Sequence, residues 1–67
     1  MSYTITTVEP DRHTGQDIKV RRRDTTEGAR KLVRALAESG QVFQMKLEIE
    51  HEGVNCPMPL QELFAGE

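Results

Sequence analysis

The sequence predicts a small α+β domain over residues 1–67, in which an antiparallel sheet carries one main helix on one face in the order β-β-α-β-β, followed by a short C-terminal helical turn. Three observations predict it. Residues 42–50 (VFQMKLEIE) alternate apolar and polar side chains with the period of a half-buried strand. Between positions 29 and 37, Ala29, Leu32, Val33, Leu36 and Ala37 follow the i, i+3, i+4, i+7, i+8 spacing of a helix buried along one stripe. Turn formers separate the periodic runs at 10–15, 40 and 52–53.

Residues 3–8 (YTITTV) are β-branched or aromatic throughout and read as the first strand, with Tyr3, Ile5 and Thr7 on one face and Thr4, Thr6 and Val8 on the other. Composition does not decide which face is buried. Pro10, Asp11 and Gly15 then supply a fixed φ, a side chain that bonds its own backbone, and a free φ, so a turn follows. Residues 16–22 alternate again. Ile18 and Val20 are expected inward, with Asp17, Lys19 and Arg21 outward, in a strand that forms a hairpin with the first.

Asp24 is expected to cap the helix, because Glu27 lies three residues on as in a variant capping box, and Gly40 is the expected C-terminal stop. Gly28 weakens the first turn, while Glu27 with Lys31 and Arg34 with Glu38 are spaced for weak ion pairs. In the next strand Phe43, Met45, Leu47 and Ile49 are the inward residues. Glu52-Gly53 is a short hairpin turn, after which Val54, Cys56 and Met58 continue the alternation; Pro57 cannot donate to a ladder, so this strand is short and at an edge. Pro59 suits the first position of a helical turn that buries Leu60, Leu63 and Phe64.

Length and composition bound the function classes. The isoleucines, leucines, valines and phenylalanines number 15 of 67, just above the level at which disorder becomes the better description. One such domain has a thin margin between burial and chain entropy, and a single cysteine excludes an internal disulfide. No run of about 18 apolar residues exists to span a membrane. The opening residues lack the basic start and apolar middle of a signal peptide, and the lone Cys56 suits a reducing compartment, so a cytoplasmic protein is expected.

Charge is the most informative feature after the fold. Residues 12–34 hold eight of the nine basic side chains and a local net of +5, whereas residues 38–67 carry a local net of -5. The whole chain is only -2, so the separation and not the total creates a field that steers a charged partner. Arg21, Arg22, Arg23, Arg30 and Arg34 form a candidate basic face, and Glu48, Glu50 and Glu52 a candidate acidic one. The plainer alternatives are that these are two solvated faces, or that Lys19 and Arg21 pair with Glu48 and Glu50 across one sheet surface. Direct nucleic-acid binding through the arginines is a second reading, weakened by inward-patterned phenylalanines and a pI near 5.6.

The remaining reactive residues do not assemble a catalytic signature. His13, His51 and Cys56 have no tight metal spacing, no P-loop, dinucleotide fingerprint or nucleophile elbow is present, and no cofactor is implied, so a non-enzyme is expected. Cys56-Pro57-Met58-Pro59 is similar to the Cys-Pro-x-Pro motif of small sulfur carriers that relay persulfide in tRNA modification. In that family the motif lies near the N-terminus with a long helix and strands after it; here little chain follows, and a half-buried cysteine on an edge strand is the preferred reading. The first third, a Thr-rich strand, the turn Glu9-Pro10-Asp11-Arg12-His13-Thr14-Gly15 and a charged strand ending in Arg, resembles in layout the small phage-encoded anti-CRISPR-type inhibitors. That resemblance implies a protein-binding module that occludes or charge-mimics at a nucleic-acid-handling complex in the host cytoplasm. A homodimer through the 54–58 edge or Phe64 is compatible with each reading.

Overall fold

Two hairpins joined by a helix build the chain, in the predicted order. A computed structural model describes residues 1–66. Strands β1 (Ser2–Glu9) and β2 (Asp17–Arg23) form the first hairpin, helix α1 (Thr26–Ser39) follows, and β3 (Gln44–His51) and β4 (Val54–Pro57) form the second, before the single turn α2 (Leu60–Leu63). The sheet order is β2-β1-β3-β4 with every neighbour antiparallel. The inner strands of the two hairpins therefore meet at the centre, and β2 and β4 are the edges.

The core lies between the helix and one face of the two central strands. Tyr3 and Ile5 from β1, Leu47 from β3, Ala29, Val33 and Leu36 from α1, and Leu63 from α2 are buried together, with Leu32, Met45, Ile49, Leu60 and Phe64 packed around them. The face left open by the sequence of β1 is thus decided in favour of Tyr3, Ile5 and Thr7. The Tyr3 hydroxyl stays satisfied at the helix start by Thr26 Oγ1, 2.7 Å away. Ala37, expected in the buried stripe, is exposed, because the helix presents only Ala29, Val33 and Leu36 squarely to the sheet.

Strand β2 is inverted relative to expectation. Ile18 and Val20 point away from the helix and are 67% and 61% exposed, while Lys19, Arg21 and Arg23 occupy the helix side. The hairpin register explains it. Tyr3 pairs with Arg23, Ile5 with Arg21 and Thr7 with Lys19, and directly opposed residues share a face. Once Ile5 faces the helix, Ile18 and Val20 cannot. The long arginine stems fill the helix-side margin; the Arg23 aliphatic chain runs beside the first helical turn, within 3.7 Å of where a Gly28 Cβ would stand. Phe43 is also a correction: it precedes β3, donates its backbone N–H to the Val8 carbonyl at 2.8 Å, and leaves its ring 66% exposed.

The helix start is one residue later than predicted. Thr25, not Asp24, is extended at φ -121° and accepts from the Gly28 N–H at 3.0 Å. A Cβ on Gly28 would meet Thr25 Oγ1 at 2.9 Å, so the glycine that weakens helix propensity makes room for the cap. Thr25→Ala is expected to cost about 1 kcal/mol and Asp24→Ala distinctly less, measured as the shift in urea midpoint. Glu27 stays in the first turn, 3.8 Å from Lys31. At the other end Gly40 takes φ 67°, the left-handed stop that was expected. In the second hairpin Glu52 and Gly53 take φ 53° and 78°, the pair of positive values that a type I′ turn requires. Pro59 stands just before α2, at its cap, and not at its first position.

Candidate protein-binding surface

One face of the sheet has no helix over it. Its register runs Ile18, Val20 and Arg22 on β2, beside Val8, Thr6 and Thr4 on β1, beside Gln44, Lys46 and Glu48 on β3. The β2 side is apolar with an arginine at one end, and the β3 side is charged in both signs. The sequence hid this surface because Ile18 and Val20 read as core; the signal that finds it is register parity, once one residue of β1 is known to face inward.

The five arginines do not form one face. Arg21 lies on the helix side, where Nη1 reaches Glu9 Oε2 at 2.9 Å and Thr7 Oγ1 at 3.1 Å, while the Thr7 hydroxyl donates to Glu9 Oε2 at 2.6 Å. This triad is mostly enclosed, with 28% of the Arg21 and 17% of the Glu9 side chain exposed, and Thr7 fully buried. The Arg21 hydrogen bond, then the Thr7 hydrogen bond, lower the Glu9 pKa, outweighing the opposing effect of desolvation. Arg22 lies on the open face, 3.7 Å from Glu50. Arg23 bonds the Arg22 carbonyl at 2.6 Å. Arg30 and Arg34 belong to the helix and hold the C-terminal segment: Arg30 donates to the Leu63 and Ala65 carbonyls at 2.7 and 3.3 Å, and Arg34 stands over the Phe64 ring at 5.2 Å from its centroid.

The acidic residues are partly brought together. Glu48 and Glu50 share the open face and are half-buried; Glu50 also accepts from Ser2 Oγ at 3.4 Å. Glu52 belongs to the turn, beside His51 at 3.8 Å. Glu67, counted in the acidic segment, lies outside the described residues. The expected pairing of Lys19 and Arg21 with Glu48 and Glu50 does not form, because the two sets occupy opposite faces and β1 separates their strands. No protein-family model, no curated protein and no solved structure matches this chain.

The concave features are shallow and lie at strand ends. A groove of about 750 Å³ opens where β4 stops, lined by Met45 to Glu48 on one side and Pro57 to Leu60 on the other. A second, of about 550 Å³, lies between the 10–12 turn and Gly40, Gln41 and Phe43. Cys56 is exposed and not half-buried, because β4 is an outermost strand with nothing beside it. It sits in a strand and not at a helix start, which is where the sulfur-carrier motif stands. Among the described residues no group of three or more His, Cys, Asp or Glu could hold a metal ion, and no helix is long and apolar enough to cross a membrane.

Proposed function

We propose that this chain is a small, non-catalytic protein-binding module that acts by covering part of a partner's surface. The partner class proposed is a bacterial nucleic-acid-handling complex, blocked in the manner of phage-encoded inhibitors, with the host cytoplasm as the setting. The observation that carries the reading is the uncovered sheet face, where exposed Ile18 and Val20 adjoin Arg22 on β2 and lie across β1 from the charged Lys46, Glu48 and Glu50 of β3. An exposed apolar patch flanked by polar and charged side chains is what a protein interface uses.

Occlusion is favoured over imitation of phosphates. Glu50 shares its carboxylate with Ser2 and Arg22, Glu48 is half-buried, and Glu52 stands off in the turn, so the three do not make a free row of negative charge. Direct nucleic-acid binding is disfavoured by the division of the arginines among the helix side of the sheet, its open face and the C-terminal segment. The test is capture from a bacterial lysate on the immobilised chain. A partner retained in stoichiometric amount, and lost with Ile18→Asp, is the expected result. No retained partner, or tight binding of a DNA oligonucleotide that falls steeply with salt, overturns the reading.

A further inference from the structure

We propose that β2 receives an acidic extended peptide as a fifth strand, added at its free edge. The inference rests on the protein-binding reading and names the partner's chemistry and its mode of docking.

Hydrogen-bond parity shows which backbone groups are on offer. The Val8 carbonyl accepts from Phe43 on the β3 side, so even-numbered β1 residues direct their backbone groups toward β3 and odd-numbered ones toward β2. The Leu47 carbonyl accepts from Met58 on the far side of β3, as the same alternation requires. In the register Tyr3 with Arg23, Ile5 with Arg21 and Thr7 with Lys19, the odd residues of β2 are bonded to β1. The N–H and C=O groups of Ile18, Val20 and Arg22 therefore face outward from the sheet with no strand beside them, and of these the Arg22 carbonyl accepts from the Arg23 guanidinium at 2.6 Å. β2 is seven residues long and has no proline, whereas the opposite edge, β4, is four residues long and ends in Pro57. A peptide strand fits the first edge and not the second.

Charge selects the occupant. Arg23 is exposed with no carboxylate in ion-pair contact among the described residues, Lys19 is exposed and acts on the Glu9 carboxylate only at longer range, and Arg22 is two-thirds exposed beside Glu50. A second copy of the chain is a poorer occupant: antiparallel pairing centred on Lys19 sets Ile18 opposite Val20 and Asp17 opposite Arg21 but Lys19 opposite Lys19, with no carboxylate for Arg22 or Arg23, and pairing centred on Val20 sets Lys19 opposite Arg21 and Ile18 opposite Arg22. Like charges then repel on one face and an apolar side chain meets a cation on the other. An acidic strand reverses both conflicts, with carboxylates opposite Lys19, Arg22 and Arg23 and β-branched residues opposite Ile18 and Val20. Nucleic acid meets the charge but leaves the outward N–H and C=O groups without main-chain partners.

The probe is the end-blocked peptide Glu-Glu-Thr-Val-Glu-Val-Thr, labelled and titrated with the full chain by fluorescence anisotropy. Saturable binding is expected, weakening with added salt, together with slowed amide exchange at Ile18, Val20 and Arg22. Lys19→Glu, a surface change on the side opposite Ile18, should weaken it about tenfold. Val20→Pro should abolish it, with circular dichroism confirming that the variant folds; Lys19→Glu carries the test if it does not. No anisotropy change up to about 1 mM overturns the proposal. So does equal binding to Lys19→Glu, protection elsewhere in the sheet, tighter binding of single-stranded DNA of the same charge, or a β2-mediated dimer in sedimentation. If Ile18→Asp releases a captured partner while Lys19→Glu and Val20→Pro retain it, the strand-addition proposal fails and the protein-binding reading stands. If wild type captures no partner, the reading itself fails.

Discussion

Ile5→Ala is expected to remove a large share of the domain's stability. Ile5 is fully buried in β1, between β2 and β3 and under the helix. Truncating such a residue removes its transfer energy and leaves a cavity, costing about 2–5 kcal/mol. A domain of this length has a total stability of about 3–10 kcal/mol, so the loss takes a large share of it. Ile18→Ala supplies the contrast, because that side chain is 67% exposed and its loss should change stability by no more than about 0.5 kcal/mol. Urea titrations followed by circular dichroism would separate the two. Equal losses would show that β2 turns its isoleucine inward, and would refute the inverted strand.

Arg21→Met should cost about 1–3 kcal/mol, by leaving the Glu9 carboxylate and Thr7 hydroxyl without their cation in a mostly enclosed site. Glu9→Gln strips the charge from the same triad, and the double variant should lose less than the two single losses added together. The pH dependence follows from the same contacts. Glu9 is held below its ordinary 4.5 in the folded chain, first by the Arg21 hydrogen bond and then by Thr7. A depressed carboxylate stabilises the fold fully above the unfolded pKa, and that contribution is lost as pH falls through the lower, folded value. Acidification from 7 through 4.5 and below should therefore narrow the gap in urea midpoint between wild type and Glu9→Gln. A gap constant over that range would mean that the triad is not formed in solution.

The elements were legible in the sequence because each carried its own local signal. The i, i+3, i+4 stripe located α1, Gly40 stopped it, and the alternation from Met45 to Ile49 located β3. What stayed hidden was relational. β1 has a plausible apolar set on either face, and choosing Tyr3 and Ile5 over Val8 depends on what the helix brings to them. That choice then dictates the facing of β2 through the register, against its own apolar residues. The arginine cluster failed as a single face for a similar reason. Arg21, Arg22 and Arg23 are adjacent in the chain, but alternation sends Arg22 to the opposite face from the other two, and Arg30 and Arg34 are held by the tail. The cap was misplaced by one residue because Asp24, Thr25 and Thr26 are all competent, and only backbone geometry chooses among them.

The meeting of β1 with β3 at the centre of the sheet makes the domain indivisible. Those strands come from different hairpins, and Ile5 lies opposite Leu47 across more than half the chain. Neither hairpin can keep its apolar row from water without the other and without α1, so a fragment ending after β2 or beginning at β3 has no core of its own. Both hairpins close over short sequence distances and rapidly, but they gain stability only when the distant pairing is made. Folding is then a single cooperative event governed by that pairing, with partly folded species too poor in buried surface to accumulate.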